Sequence, residues 1–318
     1  MSEPHRLLID FVEKYQKGHV LRLNLFNKTI FGYVDEKTLF NDLVKTFGVF
    51  EMKFDVRVLE EEVPDYLKYG TVITPTCDMR KFPSFESERV HQLIFNEKVK
   101  VLQIQTDYYL VKDLKSSYIG FVRAPQLRFN SKDHDDYTHL VTARFASMSL
   151  ENLDLILPFG TKLKIMNETD EFYFAETALG MGKLKKSDVS LISKFNMDFD
   201  ELIKNYISTP YLWGGTSTLG TDCSGFIYRL YDALGVKIPR DTSQQFDELY
   251  PIGQDELTTG DLILFKGHVG MYIGENKMVH SSASLGGVYV SDIFDPKDIY
   301  EETLKRGIIG FRRVKNDV

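Results

Sequence analysis

Between about residue 70 and residue 191 the chain consists of short runs of alternating apolar residues broken by turn signals, and this texture occurs twice. The first passage reads TVITPTCDMRKFP, QLIFNEKVKVLQIQ, DYYLVKD and SSYIGFVRAPQL; the second reads HLVTARFASMS, GTKLKIMNE, EFYFAET and GMGKLKKSDVSLI. Alternation of period two turns one face of each run toward a core, and runs this short between frequent turns build a small β-barrel of about sixty residues. The recurrence predicts two diverged copies of one barrel, over 67–130 and 131–195. The 23 Phe and 17 Tyr suit sheet-rich cores or flat binding surfaces.

Ahead of the barrels, residues 1–66 read as a helix carrying Leu7, Leu8, Phe11, Val12 and Tyr15, then strands in HVLRLNLF and KTIFGYV. A second helix, EKTLFNDLVKTFG, and a strand, EMKFDVRVLE, complete this α+β segment, from which no function follows. Beyond the barrels a helical pattern resumes at FNMDFDELIKNYI, and 196–318 forms the last unit. At 318 residues the chain exceeds what one core supports. The expected fold class is α+β, built of several modules.

The balance of 39 Lys+Arg against 46 Asp+Glu, a net charge of -7, argues against a polyanion binder, so no nucleic-acid partner is expected. The first sixteen residues, MSEPHRLLIDFVEKYQ, are interrupted by Glu3, Arg6, Asp10 and Glu13, unlike a signal peptide, and no apolar run is long enough to span a membrane. A cytoplasmic protein without a membrane partner is expected. Cys77 and Cys223 are too few for a disulfide framework, which leaves either thiol available for chemistry.

Cys223 stands at the start of a segment in which Phe226, Ile227, Leu230, Tyr231 and Leu234 recur at helical spacing and Gly235 supplies a stop. The segment therefore reads as a buried helix entered through the glycine-rich loop YLWGGTSTLGTD. Unpaired N–H groups and the dipole of a first helical turn favour a thiolate. Downstream, GDLILFKGHVGMYIGENKMVHSS places His268 at a strand start and His280 on the next strand. A helix-start cysteine with two histidines on a neighbouring sheet is an arrangement in which one imidazole takes the thiol proton and a second polar group orients that imidazole. Cys223, His268 and His280 include no close Cys or His pair of the kind a zinc site uses, so neither metal nor cofactor is expected.

Five ordered motifs resemble the NlpC/P60 cysteine peptidases: P-Y-L-W-G-G at 210–215, D-C-S-G at 222–225, G-D-L-I at 260–263, H-V-G-M-Y-I-G at 268–274 and V-H-S-S at 279–282. The two barrels resemble bacterial SH3 domains through R-x-x-P at Arg80 to Pro83, S-E at Ser87 and Glu88, and Y-I-G-F at Tyr118 to Phe121. Together they are similar to the cytoplasmic γ-D-glutamyl-L-diamino acid endopeptidases that trim murein peptides. The resemblance implies a papain-like last domain in which Cys223 attacks, His268 serves as base and then acid, and His280 orients His268. It implies that the Tyr211 hydroxyl joins the Cys223 backbone N–H in an oxyanion hole, and that Trp213 lines the substrate groove. Asp222 and Ser224 flank the nucleophile and are also natural capping residues. Thr242 stands where the family leads one to expect Ser, and Arg240 meets either a substrate carboxylate or a structural partner.

In the subset that recycles fragments, the first barrel closes one end of the groove and holds a free α-amine. By pattern, Glu88 and Tyr118 fill those positions here, with Asp222 completing an acidic pocket. The implied substrate is a murein-derived peptide with an unblocked N-terminal L-Ala. Three other readings stay open at this level: an exported hydrolase of polymeric wall, a peptide-binding module with an inactive papain-like domain, and acyl transfer or deamidation on a related fold.

Overall fold

The computed structural model describes residues 2–16, 18–129, 136–195 and 198–315 and divides the chain into two units. One comprises 1–72, 79–88 and 98–134, and the other 73–78, 89–97 and 135–318.

In the first unit, helix α1 (Glu3–Tyr15) buries Leu8 and Phe11, three positions apart on one face. The strands Leu21–Phe26 and Thr29–Val34 are antiparallel and joined at Asn27 and Lys28, whose φ values of 45° and 59° are those of a tight hairpin turn. Helix α2 (Lys37–Phe47) then carries the chain to Lys53–Val58, which pairs in parallel with Thr29–Val34. A parallel pair requires such a crossover. Leu8, Phe11, Ile30, Val34, Leu39, Leu43, Phe47 and Val58 form the core between the helices and the three strands. A second sheet in this unit runs in the order Leu127–Phe129, Tyr69–Val72, Lys98–Gln105, Tyr108–Asp113, Ile119–Arg123, with Arg80 paired to Phe121 at its edge.

The second unit contains a seven-stranded antiparallel sheet in the order Asp154–Pro158, Phe145–Ser149, Gly180–Lys185, Phe172–Thr177, Lys162–Glu168, His139–Val141, Val189–Leu191. Along Phe145–Ser149 burial alternates residue by residue, which places Ala146 and Met148 in a core with Leu157, Leu163 and Leu184. Phe95, from the 89–97 segment, lies in that same core. Hydrogen bonding runs through the strands without the two ends of the order meeting, so among the described residues no closed barrel is formed.

The same unit holds a six-stranded sheet in the order Tyr250–Ile252, Ile308–Arg313, Leu262–Phe265, His268–Tyr272, Lys277–Ser282, Gly287–Asp292. The helical run expected over FNMDFDELIKNYI is confined to α3 (Phe199–Lys204); Asn196 and Met197 lie outside the described residues. Asn205 ends α3 with its side chain donating to the Thr142 carbonyl, and Ser208 at φ 63° ahead of Pro210 prevents continuation. Helix α4 (Cys223–Ala233) is buried along its whole length and packs on the His268–Tyr272 and Lys277–Ser282 strands. Its end is marked by Gly235 at φ 75°. Helices α5 (Thr242–Glu248) and α6 (Ile299–Arg306) complete the unit.

Candidate active site

Helix α4 begins on Asp222, the residue whose side chain its first turn most needs. Asp222 Oδ1 accepts from the Gly225 N–H at 2.7 Å and Oδ2 from the Gly214 N–H at 2.9 Å, so one carboxylate ties the glycine-rich loop to the helix start. Cys223 is the first helical residue and is 7% exposed. Gly225 is required by close approach: a Cβ there would lie 2.1 Å from the Gly215 carbonyl oxygen.

Arg240 is buried against the other side of this cap. Its guanidinium donates to Asp222 Oδ2 at 2.8 Å, Ser224 Oγ at 2.7 Å, the Gly215 carbonyl at 3.4 Å and His91 Nδ1 at 3.0 Å. Of the two roles open to Arg240 in the sequence, the structure places it in an internal ion pair. Ser224 in turn lies 3.5 Å from Asp222 Oδ1 and is buried. His91 comes from the 89–97 segment, which makes further contacts to the loop and helix. Arg89 donates to the Trp213 carbonyl at 3.0 Å, Gln92 Oε1 accepts from Ser217 at 3.0 Å, and Glu97 pairs at 2.6 Å with Arg229, which is fully buried on α4. Neither His91 nor its neighbours could be picked out in the sequence, because their partners lie far along the chain.

His268 and His280 come together by sheet register. His268 begins one strand and His280 sits on the next, and His268 Nε2 lies 2.8 Å from His280 Nδ1. The second nitrogen of His280, Nε2, is 3.1 Å from Ser291 Oγ, and the Tyr300 ring stacks on the His280 ring at 6.4 Å. Burial pushes both imidazoles down, His268 to about 4 and His280, with the neighbouring ring adding to the effect, to about 3. The Val269 backbone, next to His268, and the Thr242 side chain both favour the ionised form of the Cys223 thiol.

The surroundings of Cys223 act against the thiolate that a helix start favours. Burial pushes the thiol up first, the Asp222 carboxylate adds to this, and the hydrogen bonds from Val269 and Thr242 with the Arg240 charge only partly oppose it. The same burial that pushes His268 down thus pushes the Cys223 thiol up, and both shifts favour the uncharged forms. Burial, then the thiol and Asp222, push Tyr211 up to about 12, which keeps its phenol protonated and able to donate. Trp213 is 58% exposed, so it is not core. Glu88 is exposed beside Lys81 and Tyr118 is half-buried, and both belong to the first unit, whereas Asp222 belongs to the second.

Among the described residues, one His/acid cluster has ligand-like spacing: His19, Asp35 and Glu36. Asp35 already accepts from the Val20 and Glu36 N–H groups, and Glu36 lies between the Lys100 and Lys112 ammoniums at 2.9 and 2.7 Å. Two fixed cations on one of three ligands oppose a metal ion there.

A nucleophilic thiol at a helix start with a histidine pair on the adjoining sheet defines a thiol-dependent hydrolase, and the comparisons agree. The sequence model of the NlpC/P60 family matches residues 208–305. A γ-D-glutamyl-L-lysine dipeptidyl-peptidase of Bacillus subtilis is 30% identical over 234 residues, covering 67% of this chain and 78% of its own. Dipeptidyl-peptidase 6 of Lysinibacillus sphaericus is 26% identical over 260 residues, covering 73% of this chain and 94% of its own. The crystal structure of an NlpC/P60 family protein from Bacillus cereus shares the fold with a TM-score of 0.68 at 24% identity, over 77% of this chain and 99% of that one. The chain belongs to the NlpC/P60 family and is a cysteine peptidase acting in the chemistry of cell-wall peptides.

Proposed function

We propose that the protein is an endopeptidase that cuts the bond between γ-D-Glu and a diamino acid in free murein peptides with an unblocked N-terminal L-Ala, as part of cytoplasmic cell-wall peptide recycling. The observation that carries this reading is the extent of the similarity. The relatives named for γ-D-glutamyl-L-lysine dipeptidyl-peptidase activity match well beyond the peptidase domain, over 67% of this chain in the Bacillus subtilis protein. A murein DD-endopeptidase/LD-carboxypeptidase of Escherichia coli matches over only 35%.

In this reading Cys223 is the nucleophile. His268 Nε2 is engaged by His280, so Nδ1 is the nitrogen that receives the thiol proton as sulfur attacks the γ-glutamyl carbonyl carbon. With the thiol pushed up and the imidazole pushed down, proton transfer accompanies attack. The oxyanion is met by the Cys223 N–H and the Tyr211 hydroxyl. The C–N bond then breaks, the proton on His268 passes to the leaving amine, and water activated by His268 hydrolyses the thioester, returning the thiol. Trp213, exposed on the loop, lines the groove, and Thr242 closes over the sulfur.

The strand-rich stretches are read as SH3-like domains over 67–130 and 131–195, followed by the peptidase domain over 196–318. Glu88 and Tyr118 of the first module take the substrate ammonium. Asp222 keeps its charge beside the nucleophile, with both oxygens held by Gly214, Gly225 and Arg240.

The experiment is digestion of L-Ala-γ-D-Glu-meso-diaminopimelate, its lysine counterpart and the N-acetylated form of each, with products read by mass. Cleavage of the free peptides at the γ-glutamyl bond and a large loss of kcat/KM on acetylation are expected. Glu88→Gln should weaken cleavage of the free peptide selectively and narrow the gap, with Tyr118→Phe acting in the same direction more weakly. Equal cleavage of free and acetylated peptides would overturn amine capture and favour a hydrolase of polymeric wall.

A further inference from the structure

Ser291 lies on the Gly287–Asp292 strand, opposite Met278 and therefore diagonal to His280, whose direct partner is Tyr289. It is 2% exposed, His280 is 0% exposed, and their polar atoms are 3.1 Å apart. With the 2.8 Å contact from His280 to His268, three side chains form one line of hydrogen bonds inside the protein.

Such a line has two proton arrangements. In one, His268 Nε2–H donates to His280 Nδ1, His280 Nε2–H donates to Ser291 Oγ, and His268 Nδ1 keeps a bare lone pair. In the other, Ser291 donates to His280 Nε2, His280 Nδ1–H donates to His268 Nε2, and the remaining His268 proton sits on Nδ1. Only the first leaves His268 able to accept a proton at Nδ1. Each imidazole is neutral in both arrangements, so the choice is one of tautomer and is made at the end of the line.

We propose that Ser291 is a positioning residue of the peptidase, the terminal acceptor that holds His280 as its Nε2–H tautomer and thereby keeps His268 Nδ1 free to act as base. Removing the hydroxyl leaves His280 Nε2–H without an acceptor in a dry site. A buried N–H without a partner is tolerated less well than a bare lone pair, so the line reverses and the base is lost. The inference rests on the assignment of His268 as base.

The test combines kinetics with nitrogen-15 spectra of the imidazoles near neutral pH. The wild type should show His268 and His280 both protonated at Nε2. Ser291→Ala should shift both toward Nδ1–H, lower kcat by about tenfold or more and leave KM within about twofold, while Ser291→Thr, which keeps the hydroxyl, restores both readouts. A wild-type His268 protonated at Nδ1 overturns the inference without any variant, and so does a folded Ser291→Ala with wild-type kcat and tautomers. Undiminished turnover by Cys223→Ala would instead remove the catalytic assignment, with the tautomer spectrum still readable by itself.

Discussion

The Nε of Arg240 donates to Nδ1 of His91 across 3.0 Å, joining residues 149 positions apart in the sequence. The bond fixes His91 as the tautomer without a proton on Nδ1 and brings a residue from outside the family-matched stretch 208–305 within two contacts of the nucleophile's cap. The same guanidinium holds Asp222 and Ser224, on either side of Cys223.

Arg240→Ala should therefore act on stability and rate together. It leaves the Asp222 carboxylate buried beside an empty space, and breaking a buried pair in this way costs about 3–5 kcal/mol. Urea denaturation measures this, and a loss under about 1 kcal/mol would show that Asp222 is supported by its backbone bonds alone. Arg240→Lys keeps the charge but cannot reach four acceptors, and it should recover less than half of the lost stability.

The two cysteines should separate cleanly. Cys223→Ala is expected to abolish hydrolysis with the fold kept, because Ala is a good residue for a first helical turn. Cys77→Ala should leave turnover near wild type at a stability cost on the order of 1 kcal/mol. Cys77 is 0% exposed and burial opposes its ionisation, so iodoacetamide should modify Cys223 first. Preferential labelling of Cys77, followed by mass mapping, would contradict this.

The pH dependence follows from burial of the histidines. With His268 pushed down to about 4 and the thiol pushed up, kcat/KM should follow a broad bell, with its acid limb near 4 and its alkaline limb above the ordinary thiol range. An acid limb at about 6.5 would mean that His268 titrates as if in water. Stability has a related sign. Both imidazoles have folded-state values below the unfolded value of about 6.5, so the unfolded chain binds more protons as the pH drops. Their contribution is fully present above about 6.5 and is lost toward about 4 for His268 and about 3 for His280. Urea midpoints from pH 7 to pH 4 should fall more steeply in the wild type than in His280→Asn.

Gly225→Ala sets two effects against each other. Helix propensity alone favours Ala by about 1 kcal/mol. The added methyl, however, would stand 2.1 Å from the Gly215 carbonyl oxygen, a backbone atom that cannot rotate aside. The net change should be a loss of more than about 2 kcal/mol with a fall in kcat, as the loop carrying Tyr211 and Trp213 is pushed from α4. A stabilised variant with full activity would falsify the close-approach account.

Much of the site was legible from local pattern. Helical spacing from Phe226 to Leu234, a capping acid at Asp222 and a stop at Gly235 place Cys223 at a helix start, and alternation in HVGMYIG and KMVHSS places the two histidines on strands. The N-terminal helices and strands followed from the same periodicities. In FNMDFDELIKNYI the apolar spacing runs on past Asn205, whereas Ser208 and Pro210 end the helix. Barrel closure was also beyond the pattern, because alternation sets which face of a strand is buried and says nothing of whether the first and last strands meet.

Consecutive residues carry the element types, caps, turns and the ordered motifs of the peptidase. The surroundings that push the Cys223 thiol up, desolvation first and then the Asp222 charge, come from packing and are invisible in the linear sequence. Only the tertiary structure decided that Arg240 is spent on internal partners, that His91 is one of them, and that Ser291 stands at the end of the histidine line. Periodicity encodes a residue's neighbours three or four positions away on a helix and two away on a strand. Burial and hydrogen bonds between distant segments depend on how those elements pack, and a linear pattern carries no term for that.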